Sequence, residues 1–202
     1  MRVNHPNILF ARYADDIIVH CRTEAQARVI LKAIERRLAR CKLNLHPEKT
    51  KLVYCKDTKR PGLYLHESFD FLGYSFRPRL CMGRTCFTGF TPAVSKSATK
   101  AMSAKIRSWK LQLWSTSSLE EIAKRTNPVV RGWLNYYGRY YRTAMYPILR
   151  QLQYALVRWA IRKYKRLRGH WLKATHWLFR IARREPRLIA AWQFGFRPSA
   201  GQ

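Results

Sequence analysis

The chain has 202 residues, 47% of them hydrophobic, and carries 40 Lys and Arg against 11 Asp and Glu, a formal net charge of +29. That size and apolar content suffice for a packed core in one large domain or two small ones, while the charge demands a polyanionic partner or an unusual tolerance of self-repulsion, with nucleic acid the leading expectation. A membrane is not expected as a partner, because Arg and Lys interrupt every apolar run and none approaches the about 20 residues that span a bilayer.

Residues 8–12 (ILFAR) and 17–21 (IIVHC) are short β-prone runs on either side of Tyr13-Ala14-Asp15-Asp16, which predicts two antiparallel strands with the aspartates at the hairpin tip. From Thr23 the period becomes helical. Thr23 and Gln26 form a capping-box pattern, and Ala27, Ile30, Leu31, Ile34, Leu38 and Cys41 recur on one face, predicting a helix over 24–41. A loop around Pro47 then leads to an expected strand at 51–55. Residues 56–67 are polar, and the aromatic stretch 69–76 (FDFLGYSF) with a return strand near 85–90 predicts a hairpin. After Thr91-Pro92 the pattern turns helical over 95–113, 118–126, 128–142, 146–167 and 170–184, so a domain boundary is expected near 90. The remainder, 186–202, has prolines, glycines and aromatics without period and reads as a tail, either docked or disordered. The fold class expected is α+β.

Adjacent carboxylates at a strand–turn–strand tip are hard oxygen ligands suited to Mg²⁺. Aspartate also favours turns for its own backbone hydrogen bonding, so the dipeptide alone leaves both readings open. The wider order is more specific: Phe10-Ala11-Arg12-Tyr13-Ala14-Asp15-Asp16, then the amphipathic helix, then Leu43 to Lys51, then Phe69 to Phe76. Together these resemble the palm of a reverse transcriptase, with its YxDD motif, its lysine-bearing motif and its primer-grip hairpin.

The resemblance implies RNA-directed DNA polymerase chemistry, in which the YxDD aspartates and one from an earlier palm motif hold two Mg²⁺ ions. Asp15 would be a direct ligand, Asp16 a less direct one, and Lys49 a proton donor or charge stabiliser near the incoming triphosphate. A plain surface lysine beside Glu48 is the competing reading for Lys49. Phe71, Leu72, Gly73 and Tyr74 would place the primer end, with Gly73 allowing close backbone approach; an aromatic hairpin packed on a core would use the same residues. Fingers, the earlier aspartate and a Pro-Gln-Gly nucleotide-pocket segment do not occur in the sequence. The metal site is therefore expected to be incomplete and the chain inactive as a polymerase unless completed in trans by an N-terminal reverse transcriptase fragment.

The charge concentrates in the second part: residues 1–70 hold 14 basic and 8 acidic side chains, residues 71–202 hold 26 and 3. There, Asn127-Pro128-Val129-Val130-Arg131-Gly132-Trp133-Leu134-Asn135-Tyr136-Tyr137-Gly138 is similar to the signature of the group II intron maturase domain. The expected division is thus a partial palm at 1–90, an all-helical maturase domain at 91–185 and a tail at 186–202. Group II intron RNA or another structured RNA is the implied partner, with a DNA primer as a further one.

Basic helices interleaved with Tyr and Trp can pair phosphates and stack on unpaired bases. Lys105, Arg107, Lys110, Arg131, Arg139, Arg142, Arg158 and Arg162 are the contact candidates, each weighed against a solvated helix face. Trp133, Trp159 and Trp171 have apolar neighbours and are expected in the core. The run from Arg158 to Arg168, on one helix, would present several charges to RNA.

Five cysteines without a CxxC pair, and no secretory signal, suggest reduced thiols and a cytoplasmic, nucleoid-associated or ribonucleoprotein location. His170 and His176 form no metal-ligand set, and no appended nuclease signature is present. The alternative function is an RNA-binding, splicing-assisting module with a vestigial metal site.

Overall fold

The computed structural model describes residues 7–60 and 62–198. It is an α+β structure. Strands β1 (Phe10–Tyr13) and β2 (Asp16–Val19) pair antiparallel, with Phe10 opposite Val19 and Tyr13 opposite Asp16. Helix α1 (Glu24–Arg40) follows, then a separate sheet of β3 (Phe69–Phe71), β4 (Tyr74–Met82) and β5 (Cys86–Val94) in the order β3-β4-β5. Helices α2 (Lys96–Ser108), α3 (Leu119–Tyr137), α4 (Tyr146–Lys163), α5 (Trp171–Arg184) and the one-turn α6 (Ala190–Gln193) complete the described chain.

The chain divides into two compact units, one up to Phe71 with Arg77–Phe90, the other Leu72–Phe76 with everything from Thr91. The first unit is thinly packed. Its buried apolar side chain among the described residues is Ile30, while Leu63, Leu65 and Met82 are 87%, 90% and 80% exposed. Helix α1 starts as its sequence predicts, with the Gln26 N–H donating to Thr23 Oγ1 at 3.2 Å. The Gln26 side chain, however, accepts from the Arg22 N–H rather than from Thr23.

The expected strand at 51–55 does not form. Tyr54 donates its backbone N–H to the His66 carbonyl at 2.8 Å, but one such bond is no ladder, and the Tyr54 ring instead stacks on Tyr64 at 3.9 Å. Pro61, in the same loop, lies outside the described residues. The aromatic stretch 69–76 is broken by a two-residue turn at Leu72-Gly73, both with positive φ (50° and 77°), a geometry that joins adjacent antiparallel strands tightly. The return strand is longer than expected.

The second unit holds the dense core. Trp159 and Trp192 are fully buried, and α4 packs on α2, α5 and the 3₁₀ turn Leu111–Leu113. The segments expected as separate helices at 118–126 and 128–142 are one helix, α3, running through Pro128. Proline inside a helix costs about 3 kcal/mol, because it donates no N–H to the residue four back. Two features outweigh that cost. Ser118 and Glu121 form a complete capping box, and Leu119, Ile122, Ala123, Thr126, Asn127, Val130 and Leu134 continue one buried face across the proline.

The other helices are shorter than their patterns suggest. Lys110, in a left-handed conformation (φ 47°), separates α2 from the 111–113 turn, and α4 ends at Lys163 before a 3₁₀ turn at Lys165–Leu167. Beyond Arg184, Ile189, Ala190, Ala191 and Trp192 are all buried in this core, so the described part of the expected tail is docked; residues 199–202 lie outside the described residues.

Candidate functional site

Two regions carry the sequence-predicted chemistry, one in each unit. In the first, β1 and β2 are joined through Ala14 and Asp15, with Ala14 in the left-handed region at φ 49°. A non-glycine residue held there costs about 1–2 kcal/mol; the Arg12 side chain, donating Nε–H to the Ala14 carbonyl at 3.0 Å, helps fix the turn. Asp15 at the tip and Asp16 at the start of β2 are both exposed.

No group of three or more His, Cys, Asp or Glu comes together among the described residues. The donor chemistry fits Mg²⁺, which is typically held through one or two carboxylates with the remaining positions filled by water and substrate phosphate oxygens. Asp15 and Asp16 are the residues here that would hold it. Lys49 is exposed in the turn after Pro47.

The residues expected to form a primer grip part company. Phe71 ends β3 half-buried in the first unit. Leu72, Gly73 and Tyr74 belong to the second, where a tyrosine cluster at the C-terminal end of α3 receives the turn. The Tyr74 hydroxyl donates to the Tyr136 carbonyl, the Tyr136 hydroxyl donates to the Leu72 carbonyl at 2.9 Å, and the Ser95 N–H donates to the Gly73 carbonyl at 2.9 Å. A Cβ on Gly73 would fall 2.6 Å from the Tyr137 hydroxyl oxygen. Burial, reinforced by the neighbouring tyrosines, pushes the Tyr74 phenol up. The turn is thus clamped from outside by the maturase-like signature, a link that spacing in the sequence does not disclose.

The second region is the surface of the helical unit. Residues 122–184 contain no Asp or Glu, and all eight basic candidates, Lys105, Arg107, Lys110, Arg131, Arg139, Arg142, Arg158 and Arg162, are exposed. Arg131 and Arg142 are brought together in a groove that Asn135, Gln193 and Phe194 also line. Arg142 has structural work there as well: its guanidinium donates to the Phe194 carbonyl and lies 4.0 Å from the centre of that ring.

Three expectations change. The basic run from Arg158 to Arg168 is split between α4 and the 3₁₀ turn rather than lying on one helix, because Tyr164 leaves helical geometry. Lys163 within it is occupied, donating to the carbonyls of Ser115, Thr116 and Ser117 at 3.1, 3.4 and 2.9 Å. Trp159 is core, its indole N–H donating to the Trp114 carbonyl, and Trp133 is half-buried against Trp109, but Trp171 is 36% exposed and not core.

Sequence reading also missed Asn127, whose buried amide donates to the Leu188 carbonyl and accepts from the Ala190 N–H, both at 2.8 Å. Its position opening the Asn127–Gly138 signature was the available signal.

A carboxylate pair on a strand–turn–strand, followed by a helical body with exposed basic residues and no carboxylate between residues 122 and 184, is the combination expected of a nucleic-acid-binding protein. Comparison with protein families matches residues 1–76 to the reverse transcriptase (RNA-dependent DNA polymerase) family and residues 99–177 to the group II intron, maturase-specific domain. The two matches together support a chain that is part of a group II intron reverse transcriptase and maturase. No curated protein and no solved structure matches it. The reverse transcriptase family generally uses Mg²⁺, the maturase domain implies intron RNA as partner, and no helix among the described residues is long and apolar enough to cross a membrane.

Proposed function

We propose that the helical unit grips structured group II intron RNA through Lys105, Arg107, Lys110, Arg131, Arg139, Arg142, Arg158 and Arg162, while Asp15 and Asp16 contribute ligands to a two-Mg²⁺ centre for RNA-templated DNA synthesis. The observation that carries the binding half is the carboxylate-free stretch 122–184 with its exposed arginines, since neutralising phosphates is what such a surface does. Lys49 and the Phe71–Tyr74 turn take the nucleotide- and primer-positioning roles of their family counterparts.

The first unit leaves Leu63, Leu65 and Met82 exposed and has Ile30 as its buried apolar side chain among the described residues. Polymerase chemistry also needs the fingers and remaining palm, a fragment that is not among these 202 residues. The test is Mg²⁺-dependent primer extension on an RNA template, with and without that fragment, beside salt-dependent binding to intron RNA. Extension with the fragment, abolished by Asp15→Asn with Asp16→Asn while RNA binding persists, is the expected result. Absence of extension in every combination, with tight salt-sensitive binding, overturns the catalytic half and leaves a binding module.

A further inference from the structure

On α4 the residues facing the core are Ile148, Leu149, Leu152, Gln153, Leu156, Val157, Trp159 and Ala160. Arg150, Tyr154, Arg158 and Arg162 recur every fourth residue, and all four are exposed. At 1.5 Å rise per residue each step is about 6 Å along the axis, comparable to the reach of one nucleotide in an extended strand. Trp171, the first residue of α5, brings its ring to Tyr154 with centroids 5.5 Å apart and planes at 70°.

The pair stays open to solvent, Tyr154 at 40% and Trp171 at 36%, and Leu172 beside it is 63% exposed. Trp159 and Trp192, at 0% and 2%, show what a core tryptophan looks like in the same unit. A merely solvated face would carry short polar or charged groups here, not two large rings. An edge-to-face contact leaves aromatic surface uncovered, and an aromatic face amid cations is the arrangement that takes a base by stacking while its phosphates are neutralised. Bases inside a duplex already stack on one another, so such a platform favours unpaired ones.

We infer that Tyr154 and Trp171 form a stacking site for an unpaired base of single-stranded RNA, with Arg150, Arg158 and Arg162 on its flanking phosphates. This rests on RNA binding by the helical unit. The test uses the full chain with fluorescein-labelled oligouridine and with the same strand annealed to oligoadenylate, followed by anisotropy over a salt series. Tyr154→Ala and Trp171→Ala weaken oligouridine binding about five- to a hundredfold, leave duplex binding and the salt slope unchanged, and Trp171→Phe retains most of the affinity. Binding also quenches tryptophan emission in the wild type, and that quench is missing in Trp171→Phe.

Unchanged oligouridine affinity in folded alanine variants, or an equal loss for single strand and duplex, overturns the site. Should an alanine variant fail to fold, Tyr154→Leu and Trp171→Leu keep apolar volume without a stacking face and are read the same way. A wild-type chain that binds neither probe salt-dependently would instead sink the RNA-binding reading itself.

Discussion

Replacing Asn127 with alanine tests how the C-terminal segment is held. Asn127 is 7% exposed on α3, and its amide bridges two backbone groups of residues 188–190 that have to enter the core for Ile189 and Trp192 to be buried. Alanine removes both hydrogen bonds and leaves a carbonyl and an N–H without this partner, each orphaned group costing about 1–3 kcal/mol. Some water will reach the site, so the expected loss is about 2–4 kcal/mol, or about 5–15 °C in Tm for a unit of this size. Asn127→Asp keeps the acceptor for Ala190 but turns a second acceptor toward the Leu188 carbonyl, and it too destabilises.

Thermal unfolding by circular dichroism measures the loss, and limited trypsinolysis at the exposed Arg187 reports local release of the segment. Because Gln193 and Phe194 line the groove with Arg131 and Arg142, RNA affinity should fall with it. If Asn127→Ala stays within about 0.5 kcal/mol of wild type and Arg187 is cleaved no faster, the amide is not the latch described here.

Two further outcomes concern the clamped turn. Gly73→Ala places a Cβ 2.6 Å from the Tyr137 hydroxyl oxygen at φ 77° and should cost about 1–3 kcal/mol; in Gly73→Ala with Tyr137→Phe, denaturant unfolding should recover the steric share and retain the backbone share, and full recovery or none would refute the geometry. For Tyr74, burial favours the neutral phenol, so its folded pKa lies above the unfolded value near 10. This group adds no pH dependence below that value, and stability falls as pH rises from it toward the folded pKa, the unfolded chain ionising first. Tyr74→Phe should therefore flatten the alkaline decline in Tm while losing about 1 kcal/mol at neutral pH with the hydrogen bond to Tyr136; an unchanged alkaline slope would remove Tyr74 as its source.

What was legible in the sequence was whatever local pattern decides. The β1–β2 hairpin, the start of α1 and the amphipathic faces of the helices follow from alternation, a capping residue and a 3.6-residue period. The failures lie where distant residues decide. Residues 51–55 have strand propensity, but the Tyr54 ring meets Tyr64 and no ladder forms. Pro128 is a legitimate stop signal that loses to a buried face continuing from Ile122 to Val130 and Leu134. Trp171 has apolar neighbours in sequence, Leu172 and Ala174, yet Leu172 is itself exposed. At the candidate site, the turn that carries Asp15 and Asp16 was readable from local pattern, whereas the docking of Leu72–Tyr74 onto Tyr136 and Tyr137 joins residues more than sixty positions apart.

The distribution of packing bears on how the two proposed activities depend on each other. A metal centre needs its ligands held to within about 0.5 Å of the productive geometry by packed surroundings. Asp15 and Asp16 instead sit on an exposed turn in a unit with a single buried apolar side chain among its described residues. The arginines of α3 and α4, by contrast, stand on helices that each bury a continuous face in the core. The proposed phosphate-binding arginines therefore stand on packed elements, and the carboxylate pair does not. Added burial from the fingers and remaining palm, or from nucleic acid laid over the first unit, would have to supply the missing rigidity. On that argument RNA binding should not depend on the added fragment, and Mg²⁺-dependent extension should, which is the contrast that the two-arm assay reads.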